Sequence, residues 1–219
     1  MLSLVNEILG EPDSNFIGAF LYGSQNYNLA IGQSDRDIII LVKDNTNLPN
    51  QFKKSWGVAK IYNLQKFLSR LTNGDMECYE ILYTNYRFIN PIYEKYFDEF
   101  VIDFDKVVNI NRIKLALRRK LREHLIGITW IPVKYNGEKY NKKRVYWSCR
   151  VYDQLTRISL GESLKDTFIY NEAKRDELIQ IKQFDNILSL SALNEKMIEM
   201  VAVLKTPFKE DTSLNELEI

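Results

Sequence analysis

The chain has 219 residues, 45% of them hydrophobic, and a formal net charge of +1, enough apolar material to fill one ordinary core or two small ones. Its longest apolar runs, residues 16–22 and 38–42, fall far short of the roughly 20 residues that cross a bilayer; no membrane span is expected, and with no basic-then-apolar leader pattern a cytoplasmic protein is the expectation. Two widely separated cysteines, Cys78 and Cys149, argue against a disulfide framework or a thiolate metal site and are expected as buried or partly buried thiols.

Residues 2–9 have helical apolar spacing, residues 16–22 read as a buried strand, and residues 38–42 form a β-branched run of the kind covered on both faces. A third strand fits residues 56–62. Leu64, Phe67, Leu68 and Leu71 then recur at helical spacing, closed by Asn73 and Gly74, and the sheet is expected to end there. From 108 to 125, Ile110, Ile113, Leu117, Leu121 and Leu125 mark one face of a long helix carrying Arg112, Lys114, Arg118, Arg119 and Arg122. Residues 127–142 read as a loop or hairpin, 143–160 as a helix ending at Gly161, with further helices near 172–182 and 192–204 and a polar tail from Thr206. The pattern predicts an α+β fold: a small mixed sheet in residues 1–104, then a mostly helical domain in 105–219 that begins with a basic segment.

Charge is distributed unevenly along the chain. Residues 1–105 carry 9 basic and 14 acidic groups, residues 106–150 carry 13 and 2, and residues 151–219 carry 8 and 13. A charge run on a helix is ordinarily a solvated face. Here few acids lie within helical reach, and Tyr135, Tyr140 and Trp147 are interleaved with Lys134, Lys139, Lys142, Lys143 and Arg144, so a contact with RNA or a polyphosphate is the competing reading. The single histidine, His124, has no Cys or second His partner and is expected at a surface or helix end, with no assigned role.

One constellation points to chemistry. Tyr22-Gly23-Ser24-Gln25-Asn26-Tyr27-Asn28-Leu29-Ala30 follows an apolar strand, and Ser34-Asp35-Arg36-Asp37 enters the next. Gly23 permits a sharp turn at a strand end, and Ser24 opens a short helix whose N–H groups and hydroxyl can grip a terminal phosphate. Asp35 and Asp37, two apart at a strand entry, leave the same face and can hold Mg²⁺ that neutralises a triphosphate. Taken singly, Gly-Ser is an ordinary turn and Asp-x-Asp an ordinary strand entry; the strand, turn, helix, strand order is what favours the functional reading.

On Gly23-Ser24, Tyr27-x-Leu29-Ala30, Ser34-Asp35-x-Asp37, Tyr62-x-Leu64-x-Lys66-Phe67, Gly74 with Glu80-x-Leu82, and Lys143-x-x-Tyr146 with Arg150, the chain resembles the DNA polymerase β nucleotidyltransferase superfamily. Within it, the resemblance is to the predicted nucleotidyltransferases associated with RNA ligases, and it covers about residues 15–161. It implies that Gly23 and Ser24 bind nucleotide phosphates, that Asp35 and Asp37 bind Mg²⁺ or Mn²⁺, and that Lys143 and Arg150 face the same cleft.

Three positions depart from that pattern. Asn28 replaces a usual glycine, tolerably, since Asn enters left-handed conformations. Trp147 stands where a histidine is usual. A third carboxylate, expected near the start of Val58-Ala59-Lys60-Ile61-Tyr62, is missing, which weakens acceptor activation more than nucleotide binding. Glu80 and Glu77 compensate if their helix reaches the site; Glu80 reads equally as an exposed helix residue or an N-terminal capping group, and the resemblance favours the cleft. The implied activity is Mg²⁺-dependent transfer of a nucleoside monophosphate from an NTP to a hydroxyl of RNA, protein or a small molecule. A catalytically silent protein of the same fold, binding nucleotide, RNA or a protein partner, is the alternative.

Overall fold

The computed structural model describes residues 1–10, 13–32, 34–44, 49–129, 141–183 and 187–206. The chain divides into two compact units, Met1–Val108 with Leu164–Arg175, and Asn109–Ser163 with Asp176–Ile219.

The first unit is built on a five-stranded mixed sheet. Its strands are β1 (Phe16–Leu21), β2 (Ile38–Val42), β3 (Gln51–Lys54), β4 (Gly57–Asn63) and β5 (Arg87–Ile89), in the order β3-β4-β2-β1-β5. β2 and β4 are parallel and every other pair is antiparallel. β1 and β2 are central and almost wholly buried, which is why they read as unbroken apolar runs rather than alternating ones. Helix α1 (Leu2–Leu9) lays Val5 on one face, against Phe16, Ala19, Ile38, Ile40, Val42, Ala59 and Ile61. On the other face Phe20 stacks on Phe97, with ring centroids 5.0 Å apart. Ile40 is completely buried, so Ile40→Ala removes about 2–5 kcal/mol of stability.

Helices α2 (Leu64–Thr72), α3 (Met76–Tyr83) and α4 (Glu94–Val107) complete this unit. Asn63 caps α2 through Lys66 N, and Asp75 caps α3 through Glu77 N, satisfying N–H groups that a helix start leaves open. The expected end of the sheet before α2 is corrected: β5 returns after α3 to pair with β1, Gly18 opposite Ile89. β3, β5 and α4 go beyond the elements expected from the sequence. Phe168, from Leu164–Arg175, tilts against Tyr27 and Tyr83 at 5.6 and 5.9 Å.

After β5 the described elements are helical. The second unit contains α5 (Ile110–Thr129), α6 (Lys142–Ser159), most of α7 (Glu172–Gln183) and α8 (Leu190–Lys205). Ile113, Leu117, Leu121, Leu125 and Ile128 of α5 are buried at the 3–4 spacing of a helix packed through one stripe, and Val145, Cys149, Val151, Leu155 and Ile158 of α6 are buried as well. Two basic residues serve as helix-end ligands: Arg118 donates to Leu204 O and Thr206 O at 2.6 and 2.7 Å, and Lys142 to Gln183 O at 3.2 Å. Cations satisfy the open carbonyls of α8 and α7 there. Lys134, Tyr135, Lys139 and Tyr140, and the tail beyond Thr206, lie outside the described residues. Among the described residues no helix is long and apolar enough to cross a membrane.

Candidate functional site

The turn after β1 and the approach to β2 form one locus. The β1–β2 ladder runs one step past its last strand pair, Tyr22 N–H donating to Asp37 O at 3.0 Å. A second tie runs from Gln25 Nε2 to Asp35 O at 3.4 Å. The Gly23-Ser24 turn and the Asp-x-Asp pair, ten residues apart in sequence, are therefore neighbours in space. Residues Gly23–Gln25 make the expected short helical turn, here a single 3-10 turn. Gly23 has φ +75° with open space where a Cβ would stand, so glycine is required there for conformation, not for room. Asn28 has φ 55°, the left-handed state that made it an acceptable substitute.

Glu80 lies beneath this turn. Only 2% exposed, its carboxylate accepts the Gly23 N–H through one oxygen and the Tyr27 hydroxyl through the other, the latter at 2.7 Å, while its carbonyl accepts Asn26 Nδ2 at 3.4 Å. A buried carboxylate is tolerated when charge-assisted hydrogen bonds replace its hydration. Both the exposed-helix and the N-capping readings of Glu80 are thereby corrected, since it is buried and its side chain spans to the turn. Gly23 N–H points inward to Glu80, while the Ser24 hydroxyl has no hydrogen-bond partner among the described residues.

The carboxylate pair is held by a feature that motif reading missed. β3 and β4 are joined by Ser55-Trp56, with Lys54 opposite Gly57. Gly57 has φ +145°, and a Cβ there would stand 2.8 Å from Arg36 O. Arg36 N–H donates to Trp56 O at 2.6 Å. The backbone between Asp35 and Asp37 is thus pressed against a turn that only glycine permits.

Asp35 is exposed and Asp37 half-buried. Asp37 Oδ1 accepts Val58 N–H at 3.0 Å, and burial, with Asp35 and Glu77 nearby, holds its carboxyl above the usual aspartate range despite that bond and Lys60. Among the described residues, Asp37 Oδ2 and both Asp35 side-chain oxygens accept no hydrogen bond. Hard, open carboxylate oxygens suit Mg²⁺ or Mn²⁺, which bind through one or two carboxylates plus substrate phosphates; the pair fits such an ion in that form. A third protein ligand does not converge: no group of three His, Cys, Asp or Glu suited to a metal occurs among the described residues. Glu77 instead ion-pairs with Lys60 of β4.

Lys143 and Arg150 belong to the second unit, seven residues apart on α6. Lys143 is exposed over the Trp147 ring at 4.9 Å, and Arg150 lies 5.8 Å from the Tyr146 centroid. His124, expected at a surface, is buried. Its ring lies 5.1 Å from that of Trp147 and its Nδ1 faces Arg144 Nη1 at 3.1 Å. Burial first, then Lys120, Arg144 and Arg150, push its pKa down to about 4, so at neutral pH it is uncharged and Nδ1 accepts. Both cysteines are buried free thiols. No protein-family model matches the chain, and no curated protein is significantly similar to it.

Proposed function

We propose that the chain is a Mg²⁺-dependent nucleotidyltransferase of the polymerase β type, moving a nucleoside monophosphate from an NTP to a hydroxyl acceptor. The observation that carries this reading is the Tyr22–Asp37 backbone bond, which sets the Gly23-Ser24 turn against the Asp35/Asp37 pair. A phosphate ligand and a divalent-ion seat are then adjacent, as charge neutralisation of a polyphosphate requires. Ser24 Oγ would donate to a phosphate oxygen, and Asp35 and Asp37 would hold Mg²⁺ or Mn²⁺, whose charge offsets that of the phosphates. The acceptor oxygen bonds the α-phosphorus, the bond from that phosphorus to the bridging oxygen breaks, pyrophosphate leaves, and the hydroxyl proton is released to solvent. In the second unit, exposed Arg119, Arg122 and Lys143 are the proposed contacts for a polyanionic acceptor such as RNA. Labelled NTPs with Mg²⁺ or Mn²⁺, with and without RNA, test the reading through pyrophosphate release and a labelled product.

A second reading, a silent protein of this fold that binds nucleotide without transferring it, is favoured by one observation: β4 offers Lys60, paired to Glu77, in place of a carboxylate. Nucleotide binding without pyrophosphate release distinguishes it.

A further inference from the structure

Lys60 occupies the charged centre of the site. β4 runs parallel to β2 with Lys60 opposite Ile39, so Lys60 emerges on the face of Ile39 and, one alternation earlier, of Asp37. Its ammonium pairs with Glu77 of α3 and lies 5.0 Å from the Tyr22 ring centroid. Tyr22 both precedes the Gly23 turn and bonds Asp37. One cation therefore faces β1, β2 and α3 at once. It is a unit charge among Asp37, Glu77 and, through Asp37, Asp35, and it lowers the cost of ionising Asp37 that the two other carboxylates raise. With 21% of its side chain exposed and Glu77 at 35%, it is on a flexible four-carbon stem at a wet edge, free to change partners.

We propose that Lys60 is the resident cation of this site: without nucleotide its ammonium balances the carboxylates and keeps a divalent ion out, and an arriving polyphosphate draws it off Glu77 so that ion and nucleotide enter together. This rests on the nucleotidyltransferase reading for the identity of the polyphosphate. The competition itself does not, because a unit charge a few ångströms from a divalent ion changes that ion's affinity by about tenfold or more at the effective dielectric of a protein edge.

The test is Mn²⁺ titration followed by electron paramagnetic resonance, on the parent and on Lys60→Met, with and without a non-hydrolysable ATP or GTP analogue. The parent is expected to bind Mn²⁺ about tenfold more tightly with the analogue than without it. Lys60→Met should bind Mn²⁺ without nucleotide about tenfold more tightly than the parent, and adding Asp37→Asn should remove the gain. Lys60→Gln takes its place if circular dichroism shows that Lys60→Met is unfolded. Unchanged nucleotide-free Mn²⁺ affinity in the folded variant overturns the role of Lys60. Absence of analogue binding to the parent at every Mn²⁺ concentration overturns the nucleotidyltransferase reading and the nucleotide-linked half of the proposal, while the nucleotide-free comparison still decides the competition.

Discussion

The hydroxyl of Tyr27 donates to Glu80 Oε2 at 2.7 Å across 53 residues of sequence, and with the Gly23 N–H on the other oxygen it ties both ends of the turn to one buried carboxylate. Removing that carboxylate takes away the acceptor that the buried Tyr27 hydroxyl and the Gly23 N–H share and opens a cavity. Glu80→Ala is expected to cost about 3 kcal/mol or more in urea unfolding, and Tyr27→Phe about 1.5–3 kcal/mol. Glu80→Gln should cost less than Glu80→Ala, since its oxygen can accept from Gly23 and its amide can donate to Tyr27. If the two Glu80 variants unfold at the same urea concentration, the carboxylate is not what holds the turn.

Gly57→Ala is expected to disturb the acidic pair from a distance. The added Cβ meets the Arg36 backbone and the residue keeps a positive φ, strain of about 1–3 kcal/mol. Relief requires the backbone between Asp35 and Asp37 to move. Divalent-ion affinity in the presence of nucleotide should fall together with the melting temperature; a variant that loses stability but binds the ion as the parent does would separate Gly57 from the site.

Asp37 supplies a pH signature. Its folded pKa is raised above the ordinary aspartate value, chiefly by burial, so between the unfolded and folded pKa the folded state holds more protons than the unfolded one. Stability from this group is therefore present at acid pH and lost as pH rises through the folded pKa. Asp37→Asn keeps an oxygen for Val58 N–H and never ionises. Relative to the parent it should gain stability as pH rises from about 4 to neutral, while losing transfer activity. A constant difference across that range would show that the carboxylate is not electrostatically penalised.

His124 has the opposite sign. Its pKa falls from 6.5 to about 4 on folding, so the folded state holds fewer protons in that interval, and stability is lost as pH drops through it. His124→Asn, which retains an acceptor for Arg144, should abolish that part of the acid dependence, read as melting temperature against pH. An undiminished acid slope would assign the loss to other groups.

The parts of this molecule legible in sequence are those whose signals are local. Residues 16–21 and 38–42 are unbroken apolar runs because both sheet faces are covered, and Gly23 and Asn28 are residue types that accept the positive φ they adopt. β5 is three residues long and includes an exposed Arg87; its strand character comes from pairing with β1, not from periodicity. The stripe Phe97, Phe100 and Phe104 of α4 has helical spacing, but acids at Glu94, Asp98, Glu99, Asp103 and Asp105 dilute it. The roles of Glu80 and Gly57 arise from contacts across 57 residues and from a steric fit to Arg36, which only a folded chain displays. Within the basic segment Arg118 and Lys142 satisfy helix ends, a use that composition does not distinguish from a nucleic-acid face.

The most direct test of the central claim is incubation of the purified protein with each α-labelled NTP and Mg²⁺ or Mn²⁺, alone and with RNA, following pyrophosphate and the label. The account predicts pyrophosphate release with at least one NTP and label on RNA, on the protein or on a small acceptor. Asp35→Asn and Asp37→Asn should each abolish both while their circular dichroism stays that of the parent. Pyrophosphate release that persists undiminished in both variants, or none from the parent with any NTP, would contradict it.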